Sequence, residues 1–197
     1  MNSEQKKQAF VSQIKSAISQ KCTELTAAKK SITYNEGKGI VASVNGVFDS
    51  CLGFVPKQIS TACDLALVFI APSMKEKMEL LKTIVGTVAG LGGLAAIVAG
   101  IGMAVGWGVG TIAAITAWFT GTSIAGPVGW IFAGITLATI AGYFYFSDSE
   151  AANAERFENA LKGGVESAID EIWAEYGEML YSEMKNLKNE INTSYAE

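Results

Sequence analysis

The chain has 197 residues, half of them apolar, no histidine and a formal net charge of −4. This length suits one domain with a core of its own, and an acidic chain without a basic, aromatic-rich stripe excludes a general nucleic-acid-binding protein. The lack of histidine excludes His-based triads and His-based acid–base catalysis. We therefore predict a protein that is not an enzyme, with no small-molecule substrate, no cofactor and no metal site.

Charge divides the single domain into three sections. Residues 1–82 carry eleven Lys and seven Asp/Glu, a net charge of +4, and residues 83–147 carry no charged residue. Residues 148–197 carry twelve Asp/Glu and four Lys/Arg, so their net charge of −8 brings the total to −4. The order along the chain is therefore basic, uncharged and acidic.

The basic section is predicted to form amphipathic helices, because its apolar residues recur at helical spacing. The predicted helices cover residues 3–32, 40–55 and 57–70. Residues 34–39 form a loop by their glycines, and Pro56 and Pro72 end the second and third helices. Ser73 and Glu76 fit a capping box that begins a longer helix running into the uncharged section.

The three cysteines and the N-terminus bear on where the chain is made. Cys22, Cys51 and Cys63 show no metal-site spacing, and their odd number cannot close a disulfide framework. We expect them to be small core residues in a reducing compartment. The first residues include no apolar segment of the kind a signal peptide needs, so we expect synthesis in the cytoplasm without one.

The uncharged section is long enough to cross a membrane more than once. It runs for 65 residues without Asp, Glu, Lys or Arg, whereas one membrane-spanning helix needs only about 20 apolar residues. A straight helix of this length would reach roughly 98 Å, about three times the ~30 Å hydrocarbon core of a bilayer. The section must therefore fold back on itself.

Gly121, Gly126 and Pro127 mark the best place for the turn, because glycine ends helices and proline begins them. The sequence thus predicts a helical hairpin of two membrane spans. The spans cover residues 100–119 and 127–146. An apolar helix over 83–99 precedes them and is either continuous with the first span or kinked near 106–110. A three-span alternative would place the two charged sections on opposite sides of the membrane.

Aromatic and turn residues of the hairpin are candidates for membrane insertion, since Trp and Tyr favour the membrane interface. The candidates are Trp107, Trp118, Phe119, Gly121, Gly126, Pro127, Trp130, Tyr143 and Tyr145. Alternatively, the aromatic side chains fill a soluble core. Lys75, Lys77 and Lys82 precede the hairpin and are either contacts to an anionic membrane surface or ordinary solvated charges.

Glycines recur at four-residue spacing within both predicted spans. The candidates for helix–helix contact are Gly102, Gly106, Gly110, Gly134 and Gly142. Small residues four apart share one helix face and let two backbones approach closely in lipid. They pack the hairpin against itself, or they also join subunits of an oligomer.

The acidic section is predicted to form one long amphipathic helix over 148–193, or two helices broken at Gly163 and Gly164. Its acidic face either stays solvated or pairs with the basic N-terminal helix. No strand pattern occurs along the sequence. The predicted fold is therefore all-α, a helical bundle with a central hydrophobic hairpin and a long amphipathic C-terminal helix.

This architecture, with its hairpin at 100–146 and its Gly/Thr/Pro turn, resembles the pore-forming domain of colicins. It is similar more broadly to α-pore-forming toxins, including helical-hairpin cytolysins. The resemblance implies a lipid bilayer of a target cell as the partner, assembly as a homo-oligomer or with partner subunits, and ion leakage. Two features differ from colicins: an acidic section of 50 residues follows the hairpin, and receptor-binding and translocation regions have no counterpart.

A turn without charge suits unassisted insertion, because one charge at the bilayer centre costs about 2.5–3.5 kcal/mol on insertion scales. We therefore predict a membrane-inserting pore-forming toxin or antibacterial effector. One alternative is a resident membrane protein whose hairpin serves as a scaffold, an anchor or a holin-like lysis element. Another is a soluble helical bundle that uses the apolar hairpin as a core or partner-binding element.

Overall fold

A computed structural model of the chain describes residues 1–26, 31–87, 93–121 and 153–194. This part consists of helices and contains no strand. The helices are α1 (Ser3–Thr26), α2 (Tyr34–Leu52), α3 (Lys57–Leu67), a 3₁₀ helix (Val68–Ile70), α4 (Met74–Thr87), α5 (Leu94–Val105), α6 (Val109–Gly121) and α7 (Asn153–Ser194). The predicted all-α bundle with a long C-terminal helix is confirmed.

Helix α7 is the central element of the bundle. Its 42 residues extend about 63 Å, and α1, α3 and α5 pack along it. The apolar face that makes these contacts is fully buried at Phe157, Leu161 and Val165. The helix runs unbroken through Gly163 and Gly164, so the alternative of two shorter helices is wrong. The predicted start at residue 148 lies outside the described residues.

The predicted loop over 34–39 is instead the first turn of α2. Thr33 caps this helix, because its Oγ1 accepts from the Glu36 backbone N–H at 3.2 Å while its own N–H donates to Glu36 Oε2 at 2.9 Å. This reciprocal capping box outweighs the glycines that favoured a loop. Gly37 also has a packing role, since a side chain there would collide with that of Ile70.

The bounds of α3 and the start of α4 follow the prediction closely. The predicted helix over 57–70 appears as α3 and the 3₁₀ helix, and Pro72 separates them from α4. At the start of α4, Ser73 Oγ accepts from the Glu76 N–H at 3.2 Å. The Ser73 hydroxyl also donates to Glu76 Oε2 at 2.8 Å, so the predicted cap is present with a side-chain contact between its two residues.

All three cysteines are buried free thiols, as expected of core residues. Burial raises the pKa of Cys22 to about 12 and also raises the pKa values of Cys51 and Cys63. A thiol reacts as its thiolate. These side chains are therefore packing groups and poor nucleophiles in the folded chain.

Ion pairs link the basic first helix to the acidic last one. Three lysines of α1 contact carboxylates of α7, with N–O distances of 2.6 to 3.2 Å. The pairs are Lys6–Glu178, Lys7–Asp170 and Lys15–Glu166. The acidic face of α7 thus pairs with the N-terminal helix, which was one of the two predicted arrangements.

Candidate membrane-inserting segment

Helix α5, the first described helix lying wholly within the uncharged section, is built into the core. Its apolar side chains are almost completely buried at Leu94, Ile97, Val98 and Ile101. The helix crosses α7 at very short range, because a Cβ atom added at Gly100 would lie 2.7 Å from the Gly163 carbonyl oxygen. The bundle therefore shields α5 from water along most of its length.

A sharp turn ends α5 at Gly106. This glycine has φ +80°, in the left-handed region that glycine adopts most readily. The Trp107 N–H donates to the Gly102 carbonyl at 2.8 Å, and the Gly106 N–H contacts the Met103 carbonyl at 3.3 Å. This pair of bonds is a Schellman motif, which stops a helix by satisfying its last carbonyls.

The predicted first span over 100–119 is consequently not one helix here. It is divided into the end of α5 and most of α6, and these helices have 12 and 13 residues. Within the described ranges, the length and apolar character needed for a membrane crossing do not occur together in any helix. The kink that the sequence allowed near 106–110 is present.

Helix α6 folds back against α5 and the bundle. A Cβ atom added at Gly102 would lie 2.5 Å from Ile112 Cγ1, so the two helices touch at this point. Ile115 and Phe119 are buried. Together with Trp107 and apolar side chains of α3, the 3₁₀ helix and α5, they surround a small cavity of about 10 Å³.

The aromatic candidates divide between core contacts and undescribed positions. Trp107 is partly buried and stacks on Phe69, with ring centroids 5.9 Å apart and planes 27° apart. Phe119 is buried, whereas Trp118 and Gly121 are placed only as backbone positions of α6. The other insertion candidates, Gly126, Pro127, Trp130, Tyr143 and Tyr145, lie outside the described residues.

The predicted glycine row does not lie on one helix face. Gly106 ends α5, so Gly102 and Gly110 belong to different helices. Gly102 contacts Ile112 and Trp107 of the same chain, whereas a Cβ atom at Gly110 would meet no atom within 4 Å. Gly134 and Gly142 lie outside the described residues. The close helix crossing uses Gly100 and Gly163 instead.

The three candidate lysines of α4 differ in exposure. Lys75 and Lys82 are exposed, but Lys77 is only 5 % exposed and its ammonium donates to the Val68 carbonyl at 2.8 Å. The prediction that Lys77 contacts a membrane surface is therefore wrong for this conformation. Helical spacing indicates this burial, because Lys77 lies on the same helix face as Leu81 and Ile84, four and seven residues further on, which are both buried.

Sequence reasoning missed the apolar surface at the tip of the α5–α6 hairpin. Met103 is 71 % exposed and Val109 is 86 % exposed, although both are large apolar residues. Ala113 and Ala114 of α6 are exposed as well. An uncharged, apolar surface is therefore presented to solvent beside a buried apolar interface.

Within the described residues, α5 and α6 expose uncharged apolar side chains at Met103 and Val109. No group of three or more Cys, Asp or Glu side chains in this part of the chain could hold a metal ion. Comparison with known proteins finds no similarity to a protein-family model, a curated protein sequence or a solved structure.

Proposed function

We propose that this chain is a non-enzymatic, membrane-inserting α-helical protein that permeabilises the bilayer of a target cell. One observation carries the proposal. The 65-residue uncharged section includes two short apolar helices, α5 and α6, and α5 packs against α7, which forms ion pairs with α1. Such a chain can remain folded in water while it keeps an uncharged segment for a lipid phase.

The charged helices supply what a water-folded state needs. Helices α1 and α7 pair basic with acidic side chains on the outside of the bundle, for example at Lys15–Glu166. Helix α7 offers its apolar face to α5 on the inside. A bilayer would replace these apolar contacts with lipid at little loss, because lipid tails are as apolar as the core residues.

Permeabilisation also requires assembly. A single hairpin of two helices encloses no water-filled channel, so we propose that several copies, or copies with partner subunits, associate in the membrane. Exposed Lys75 and Lys82 precede the uncharged section and would hold its start at an anionic surface, where each charge contributes about 1 kcal/mol.

Dye release from anionic liposomes, with protein purified without detergent, tests this function. We expect release at low protein-to-lipid ratio. No binding and no release would contradict the proposal, and protein obtainable only in detergent would favour the resident membrane protein instead.

A pair of lysine substitutions shows whether α6 enters the bilayer. Val109→Lys leaves an exposed position exposed in water but places a charge near the middle of residues 94–121. At about 2.5–3.5 kcal/mol per charge, we expect release to fall roughly a hundredfold. Ala17→Lys, at an exposed position of α1, is the matched control and should release like the wild type. Equal release by both variants would mean that α6 stays outside the bilayer.

A further inference from the structure

We propose that the turn at residues 106–108 is a closed hinge that keeps the first membrane span in two pieces until the chain meets lipid. When the hinge opens, α5 and α6 become one continuous helix over residues 94–121. This inference rests on the proposed function, because it describes how the inserting segment is stored. It assigns a regulatory role to one glycine and to the contacts around Trp107.

Helices α5 and α6 are each too short to cross a bilayer. Helices α5 and α6 have 12 and 13 residues, or about 18 and 20 Å, and neither reaches across the ~30 Å hydrocarbon core. A joined helix over 94–121 has 28 residues, all uncharged, and would extend about 42 Å. The turn therefore divides a segment that is long enough to span the bilayer into two helices that are each too short to do so.

The backbone of the turn can change to a straight helix without losing the hydrogen bonds of the Gly106 and Trp107 N–H groups. Closing the hinge depends on two bonds, from the Trp107 N–H to Gly102 and from the Gly106 N–H to Met103. In a straight helix the same N–H groups would donate to the carbonyls four residues earlier. Gly106 adopts left-handed and right-handed conformations about equally well, so it can serve both states.

The contacts that hold the hinge closed are apolar. Trp107 stacks on Phe69, and Ile115 and Phe119 line the same small cavity as Leu65. In water these contacts are stabilised by the burial of apolar surface. In hydrocarbon that driving force disappears, so lipid contact favours the open helix.

A reversible disulfide tests the hinge directly. Gly102→Cys with Ile112→Cys places two thiols where α5 touches α6. A disulfide keeps Cα atoms within about 7 Å, whereas ten residues of straight helix separate them by about 15 Å. We expect the oxidised protein to release dye at least tenfold more slowly than the same protein after reduction. Thiol titration of the denatured oxidised protein should find the three native cysteines alone.

Glycine substitutions provide a second test that needs no disulfide. An added Cβ atom meets no atom within 4 Å at either Gly106 or Gly108, and only Gly106 has a positive φ. Gly106→Ala therefore strains the closed turn, whereas Gly108→Ala adds the same methyl group and a similar gain in helix propensity without that strain. We expect Gly106→Ala to release dye about tenfold faster than Gly108→Ala.

The outcomes separate the hinge from the function it serves. Suppose that the wild type releases dye. Equal release rates of the double-cysteine variant before and after reduction, or equal rates of the two alanine variants, would then overturn the hinge and leave the membrane activity standing. No binding and no release by the wild type would overturn both. The hinge would be supported if the oxidised double-cysteine variant releases dye slowly, if reduction restores its rate, and if Gly106→Ala releases dye faster than Gly108→Ala.

Discussion

The buried ammonium of Lys77 connects the end of one helical segment to the start of the next. Helix α4 folds back after Pro72, and this brings Lys77 Nζ within 2.8 Å of the Val68 carbonyl oxygen. That carbonyl lies at the C-terminal end of α3, where the helix dipole favours a cation and where carbonyls need donors from outside the helix. The lysine thus serves as a cap for the preceding helix.

Replacing Lys77 by methionine should destabilise the fold. Lys77→Met keeps most of the buried stem but removes the donor to Val68, so we expect the free energy of unfolding to fall by about 1–3 kcal/mol. The matched control is Lys75→Met, at an exposed position of the same helix turn, where a change within about 0.5 kcal/mol is expected. Urea unfolding measures both, and equal losses would contradict the capping role.

The carboxyl of Asp64 is partly buried, and this burial should make the stability depend on pH. Burial raises the pKa of this group in the folded chain, above about 3.9 in the unfolded chain. Folding therefore favours the protonated form, so the stability contributed by Asp64 is complete below the unfolded pKa and is lost as pH rises through the folded one.

Asp64→Asn should remove this dependence, because the amide does not ionise. We expect the variant to gain stability relative to the wild type as pH is raised from 4 to 7, measured by urea unfolding at both values. Asp49→Asn, at an exposed position of α2, controls for the loss of one negative charge. A difference between Asp64→Asn and wild type that stays constant or shrinks with rising pH would contradict the assignment.

Among the elements, the crossing of α5 and α7 depends on two glycines that have no spare space. A Cβ atom at Gly163 would lie 2.6 Å from both the Gly100 carbonyl oxygen and Ala104 Cβ. At Gly100 an added Cβ atom would collide with the Ser167 hydroxyl. Only glycine lets two helix backbones approach this closely. This contact packs the uncharged helix α5 against α7 in the bundle.

Gly163→Ala should therefore lower stability although alanine favours helices. We expect the free energy of unfolding to fall by about 1–2 kcal/mol. Overpacking costs about 1–3 kcal/mol, and the higher helix propensity of alanine offsets up to about 1 kcal/mol of that loss. Gly46→Ala, in the interior of α2 with no atom near its added methyl group, should instead gain up to about 1 kcal/mol. Thermal unfolding compares the two, and a gain at both sites would mean that the helices can separate freely.

The helices were predictable from the sequence, whereas their interruptions and contacts were less so. Apolar spacing located α1, α3 and α7, and Pro56 and Pro72 marked the bounds of the segment that contains α3, because those signals are local. Gly106 fits either a continuous span or a helix end, and contacts between residues distant in sequence, such as that of Trp107 with Phe69, accompany the helix end seen here. The contact between Gly100 and Gly163 joins residues far apart in sequence, so their spacing within each helix could not reveal the partner.

At the scale of the whole molecule, charge order along the sequence becomes charge pairing in space. The basic section lies first and the acidic section last, and α1 and α7 meet along their lengths. Lys6 and Glu178 pair near the N-terminus of α1, and Lys15 and Glu166 pair further along the same helix. Helix α1 therefore runs antiparallel to α7, and a reversed α1 would lose these contacts.

A charge exchange tests whether that pairing stabilises the bundle. Lys15→Glu and Glu166→Lys each place like charges beside one another, so each alone should lower the free energy of unfolding, and the double variant should recover most of the loss. The pair is about two-fifths exposed, so the coupling should be about 0.2–1 kcal/mol and weaken at high salt. Lys21→Glu, at an exposed position of α1, controls for net charge. Additive single and double variants in a double-mutant cycle would show that apolar packing alone positions α1.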